Sequence, residues 1–451
     1  MTQPSPTRVA AMLAAERQRF TQTHPESQHL AAASAPHFLF GVPMHWMRDW
    51  PLPSPLFVRE AQGSRLVCAD GLSYIDLCLG DTGAMYGHSP APVARALAEQ
   101  AARGLTAMLP GTLLPEVGAL LAQRFGLPRW QIVLSATDAN RFVLRWARAL
   151  TGRPKVLVFE GCYHGTVDDT LVDRADDGRT LTRASLLGQV HELALSTVVV
   201  PFNDEPALRT ALAGGDVACV LTEPALTNCG LVPPLPGFMQ AVQAACRETG
   251  TLLVLDETHT VSSGLGGWGR VHGLAPDFLV VGKAVAGGLP TAVYGFTDAV
   301  AARMEAAKAA APDGHSGIGT TLAANVLQLA ALRAQLAEVA TPAAHARMDA
   351  LAARLQAGLE AVLATAGVRW CVTRIGARME LQYLPAPPRD GREAAAAMQD
   401  DWTACLHLYM LNRGVLITPF HHMLLVPPCA SEVDVDAVPP LLAQWLAAVI
   451  S

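Results

Sequence analysis

The chain is short of charge: Lys, Arg, Asp and Glu make up 16% of its 451 residues, against roughly 25% in an average globular protein. Hydrophobic residues reach 51%, so there is ample apolar surface to bury, and disorder along the whole chain is excluded. Basic clusters are missing too. Lys and Arg number 33 against 39 Asp and Glu, a formal charge of -6, and no stretch gathers enough cations to grip a phosphate backbone, so nucleic acid is not an expected partner. No apolar run reaches about 18 residues without a charge or turn residue, which argues against a membrane-spanning helix. The nine cysteines, at 68, 78, 162, 219, 229, 246, 371, 405 and 429, are scattered and never spaced CxxC. Neither a disulfide framework nor a zinc site fits that spacing, and no metal is expected. The opening MTQPSPTRVAAMLAAERQRF breaks its Ala-rich stripe with Glu16, Arg17 and Arg19, as a surface helix does and a secretory leader does not. The expectation is a soluble, cytoplasmic protein with reduced thiols. No internal repeat is visible.

The length predicts two or three cooperating domains. Residues 1–36 read as a polar, partly helical arm. GVPMHWMRDWPLPSPLF follows, irregular because of its prolines and carrying Trp46 and Trp50, which call for burial. Alternating residues around Gly63 and the Asp70-Gly71 turn predict a hairpin. From about residue 115 to 297, helical stretches alternate with the apolar runs QIVLS, KVLVF, STVVV, VACVL, TLLVLD and DFLVVG. Continuous Val/Leu runs of this kind predict strands buried on both faces of a mostly parallel sheet in an α/β domain. Helical periodicity over about 322–365 predicts one long helix linking two domains, and the remainder reads as a smaller α+β domain. Residues 166–195 show no period and read as a loop over a site. The expected boundaries are 1–75 for the arm and hairpin, packed with the small domain, 76–325 for the large domain and 326–451 for the small one.

In an open parallel sheet, ligands bind beyond the carboxyl ends of the strands. The residues found there are Ser135 and Thr137 after the first run, Tyr163 and His164 after the second, then Glu223, Asp256 and Lys283. A lysine between an apolar strand and the small residues of AVAGG is partly desolvated and can form a Schiff base. Asp256 is placed to hold a proton on a heteroaromatic nitrogen, and together the two imply pyridoxal phosphate. Ser135, Ala136 and Thr137 stand before a helix pattern, where backbone donors can take a phosphate. Tyr163 is placed to lie against the ring. Taken singly, each has an ordinary reading: Asp256, Ser135 and Thr137 as helix caps, Tyr163 as a core ring, Lys283 as the solvent boundary of a strand. Their joint occurrence at strand ends favours the cofactor.

These motifs resemble those of the class III aminotransferases over almost the whole chain. The group includes glutamate-1-semialdehyde aminomutase and the amine and β-amino acid transaminases. SATDA resembles the family's phosphate motif SGTEA, and EGCYHG is of the aminomutase type. Asp256-Glu257-Thr258-His259-Thr260 resembles DEVxTG, and GKAVAGG resembles the segment of the cofactor lysine, 27 residues beyond Asp256. The resemblance implies the type I fold of pyridoxal-phosphate enzymes, with a mostly parallel seven-stranded sheet in the large domain. It implies cofactor contacts from Ser135, Ala136, Thr137, Tyr163, His164, Glu223, Asp256, Thr258, His259 and Lys283, with Lys283 and Asp256 catalytic. It also implies a homodimer, in which Thr321 or its neighbour Thr320 reaches the cofactor phosphate of the other subunit.

Departures from the pattern bear on substrate. Thr258 replaces a valine behind the ring, and His259 stands where a glutamine or methionine is common near the ring hydroxyl. Ala136 and Ala324 replace glycines, which tightens the phosphate cup. Many relatives that take amino acids place an arginine in the C-terminal domain, whereas this chain has His421 and His422, a pocket less committed to a carboxylate. Met44, His45 and Trp46 fall in a segment that lines the family's pocket. Arg48 and Arg378 are the cations available for a keto acid, or are ordinary ion pairs. The leading expectation is a ping-pong transaminase passing an amino group from an amine or amino acid to a keto acid such as pyruvate. The alternatives are an aminomutase moving the group within one substrate, and a non-catalytic protein of the same fold.

Overall fold

The computed structural model describes residues 3–450. The chain forms two compact units, one of residues 91–345 and 388–396, the other of residues up to 90, 346–387 and from 397 onward. The helical stretch 326–345 thus belongs with the sheet of the first, and 76–90 with the second.

The first unit holds a seven-stranded sheet in the order Arg129–Val133, Ala292–Phe296, Phe278–Val281, Leu252–Asp256, Val217–Thr222, Lys155–Phe159, Thr197–Val200. Ala292–Phe296 runs antiparallel to both neighbours, and the other adjoining pairs are parallel. Every residue of Val217–Thr222, Leu252–Asp256 and Phe278–Val281 is buried. Sheets covered on both faces require such strands, which is why they read as unbroken apolar runs. Ala292–Phe296 escaped that reading because Gly295 interrupts it. A Cβ there would lie 2.6 Å from the Trp130 ring, so the strand uses glycine to admit an aromatic side chain from its neighbour.

Two expectations need correction. The stretch 322–365 is not one helix. Asn325 caps Val326–Ala334 through a capping box with Gln328, a π turn follows at Gln335–Val339, and a new helix, Pro342–Ala366, starts on a proline. Proline has no N–H to offer a preceding turn and suits a first helical position, so it marks a start where periodicity alone suggested continuity. Residues 166–195 are not wholly irregular either. Val172–Arg174 and Thr180–Thr182 pair as a small antiparallel hairpin, with Gly178 at φ 87° beside Asp177, an Asp-Gly turn signal.

In the second unit the predicted hairpin is present, Val58–Gln62 against Arg65–Cys68 and that against Ser73–Asp76, with Val415–Leu416 added in parallel. A second sheet joins Cys371–Ile375, Arg378–Gln382 and Met423–Leu425. The amino-terminal arm is a packed helix, Pro6–Thr23, that puts Val9, Leu13 and Phe20 into a core shared with Trp370, Leu408 and Trp445. The terminal helix Val438–Val449 follows a capping box at Ser431. Among the described residues all nine cysteines are free, and no helix is long and apolar enough to cross a membrane.

Candidate active site

At the carboxyl edge of the large sheet, strand register decides which side chains meet. Leu252–Asp256 and Phe278–Val281 pair Val254 with Phe278 and Asp256 with Val280. The same offset carried three residues past the Asp256–Val280 pair sets His259 beside Lys283, and their Nε2 and Nζ atoms are 2.8 Å apart. Lys283 opens the turn Lys283–Ala286 with φ 49°. The left-handed region costs a non-glycine residue about 1 to 3 kcal/mol, so the surrounding fold holds the lysine where its backbone alone would not go. Lys283 is half-buried and His259 buried.

Asp256 ends its strand at 4% exposure. Its Oδ2 accepts from Asn140 Nδ2 at 2.9 Å and from His164 Nδ1 at 3.0 Å, and its Oδ1 from the Thr258 N–H at 3.1 Å. Burial alone would raise this carboxyl. The His164 hydrogen bond and charge, with Thr258 and Asn140, outweigh it and hold Asp256 below the usual carboxylate range. Burial likewise works against charge on His164, but Cys162 and Asp256 beside it hold the imidazole above its ordinary range. The hydrogen bond orients both side chains. Asn140 Nδ2 also donates to the His164 carbonyl at 3.0 Å, clamping the loop to the acid.

The helix Ala136–Thr151 begins one residue after Ser135, whose side chain accepts from the Asp138 N–H at 3.1 Å. Thr137 Oγ1 accepts from the Thr166 N–H at 3.2 Å. Gly165, at φ 82°, packs so closely on Thr137 that a Cβ would lie 2.1 Å from its hydroxyl. Gly282 meets the same helix start, its missing Cβ 2.9 Å from the Ala136 Cβ. The expected tightening by Ala136 is thus taken up against Gly282. Gly282→Ala should cost about 1 to 3 kcal/mol through overpacking, and adding Ala136→Gly should recover most of it. Thermal unfolding of the two variants checks this.

Tyr163 is half-buried in the loop after Lys155–Phe159. Glu223 follows Val217–Thr222, and its carboxylate accepts from the Thr227 hydroxyl. Thr258 is buried, whereas Thr320 and Thr321 are exposed. One residue, Asn140, was missed, and Glu257, named at the strand end beside Asp256, was assigned no role. Asn140 looks like ordinary helix content, although it lies on the turn that faces Asp256. Glu257 is fully buried and accepts from the Thr260 hydroxyl and from the Trp268 and Gly269 N–H groups. Burial pushes it up to about 7 despite those donors. A raised folded-state value means that the folded form binds the proton more tightly than the unfolded form. Stability contributed by Glu257 is then full below the unfolded value and falls as pH rises toward about 7. Glu257→Gln should remove up to about 3 kcal/mol of that pH dependence, read from denaturant unfolding across the window.

The expected pocket residues of the other unit are placed as follows. Arg378 is fully buried and donates to the Thr82 hydroxyl. His421 Nδ1 lies 2.9 Å from Glu380, whose charge raises the imidazole against its burial. His422 Nε2 meets the Tyr383 hydroxyl at 2.5 Å, in an aromatic cluster with Trp370 and Trp402. Burial drives it down to about 3, so it is a neutral core side chain. Met44, His45 and Trp46 are exposed. Trp46, at 44% exposure, does not find the burial expected of it within this chain, and it lines an apolar cavity of about 460 Å³ with Phe38, Val42, Trp50 and Leu56. Arg48 lies over the Phe40 ring at 5.2 Å.

A family model described as "Aminotransferase class-III" matches residues 47–434. The chain belongs to the class III aminotransferase family. It is similar to the crystal structure of a glutamate-1-semialdehyde-aminomutase from Pseudomonas aeruginosa PAO1, with a TM-score of 0.97 and 48% identity over 99% of each chain. A lysine-to-alanine form of that enzyme is solved in complex with PMP. It is 35% identical over 400 residues to a "Glutamate-1-semialdehyde 2,1-aminomutase" from Sorangium cellulosum, covering 87% of this chain and 90% of that protein. A β-phenylalanine aminotransferase from Variovorax paradoxus matches with a TM-score of 0.85 and 26% identity, over 97% of each chain. Pyridoxal phosphate is the cofactor of this class III fold, and the donor set fits it. A carboxylate offers about four acceptor positions. Asp256 spends three on protein donors, which leaves one for a ring N–H.

Proposed function

We propose that this protein is an aminomutase of the glutamate-1-semialdehyde type, moving an amino group from carbon 2 to carbon 1 of one substrate. The observation that carries the reading is the likeness at 48% identity over 99% of both chains to an aminomutase, against 26% to the β-phenylalanine aminotransferase. The EGCYHG segment supports it. These comparisons weigh against the transaminase expectation, which the aminotransferase likeness keeps as the second reading.

Bound pyridoxal phosphate supplies an electron sink for charge developing at the substrate carbon. Asp256 holds a proton on the ring nitrogen, oriented by Asn140 and His164. Lys283 would carry the cofactor and, once freed, would take the proton from one substrate carbon and return it to another. Ser135, Ala136 and Thr137 would hold the phosphate at the helix start, Tyr163 would lie against the ring, and Glu223, Thr258 and His259 would complete its surroundings. Arg378, His421, His45 and Trp46 are the proposed substrate contacts. The reading includes a homodimer, in which Thr321 or Thr320 would reach the other subunit's phosphate, and a cytoplasmic setting.

The test is consumption of glutamate-1-semialdehyde by purified, cofactor-loaded protein. Isomerisation with no added acceptor supports the aminomutase. Turnover that requires pyruvate or another keto acid, with alanine formed from pyruvate, supports the transaminase instead.

A further inference from the structure

We propose that His259 is the proton partner of Lys283: the imidazole takes the proton that leaves the lysine amine as it becomes a nucleophile, and hands it back when the lysine acts as an acid. The inference rests on the reading of Lys283 as the cofactor lysine. Its basis is the 2.8 Å separation of Nε2 and Nζ and the strand register that fixes it. A contact of that length between two nitrogens holds one shared proton. An ammonium facing an imidazolium has donors on both sides and no acceptor, so the contact excludes the doubly protonated state.

The other titratable groups at these strand ends are already engaged. Asp256 and His164 hold each other, Glu257 is tied to Thr260, Trp268 and Gly269, and Glu223 accepts from Thr227. Tyr163 stands on the preceding loop. His259 Nε2 lies within hydrogen-bonding distance of the lysine nitrogen, at 2.8 Å.

The experiment measures how fast the cofactor-free protein captures pyridoxal phosphate covalently, and how the visible absorbance of the loaded protein titrates with pH. In wild type, capture should rise through the imidazole range. In His259→Gln it should slow about tenfold near neutral pH, equivalent to about one pH unit in proton affinity, and recover as pH climbs into the range where a lysine amine deprotonates unaided. The titration midpoint of the loaded variant should move by a similar amount. His259→Asn serves as a second variant should the first load poorly. A wild-type capture profile that rises only through the alkaline range overturns the inference, even if no variant folds. Variants that match wild type in rate and midpoint overturn it as well. Covalent capture that survives in Lys283→Ala would instead sink the reading beneath it.

Discussion

Lys283→Ala should yield a folded protein whose turnover is about ten-thousandfold lower or worse and which no longer holds the cofactor covalently. Folding is expected because the half-buried side chain lies at a strand end, and alanine faces the same left-handed backbone at φ 49° that lysine does. The loss follows because one amine both anchors the cofactor and moves the proton. No neighbouring group replaces it: His259 can exchange a proton but cannot anchor. Comparing steady-state rates and the visible spectrum of the variant with those of wild type measures both losses at once. Near-normal turnover would remove Lys283 from the chemistry.

Asp256→Asn should retain phosphate-dependent binding while turnover falls by about a hundredfold to a thousandfold. An amide cannot keep a proton on a ring nitrogen electrostatically. Asparagine also meets two donors, Asn140 Nδ2 and His164 Nδ1, with a single acceptor oxygen. His164 then loses one of the two neighbours, Cys162 and Asp256, that raise it. Binding isotherms should therefore change far less than kcat. If kcat is unmoved, the acid is structural.

Parallel strands buried on both faces leave an unambiguous trace, and six of the seven strands of the large sheet correspond to Val/Leu runs. The antiparallel Ala292–Phe296 is interrupted by a glycine that serves its neighbour Trp130 and carries no such trace. The long-helix expectation failed at 335–342 because strong helix formers continue across a break made by Pro342. Within the candidate site, Lys283 and Asp256 are the residues at which strand-end position and motif agree. Asn140 was not legible, because its partner lies 116 residues away and a helix-interior asparagine carries no signal of its own. The His259 contact needed the register of two strands, which periodicity cannot supply. His422, read from sequence either as a pocket residue or as structural, packs with Tyr383, Trp370 and Trp402.

The most direct test is borohydride reduction of the cofactor-loaded protein followed by peptide mass mapping. The account predicts one pyridoxyl modification, on the peptide carrying Lys283. A modification on a different lysine, or none, contradicts it.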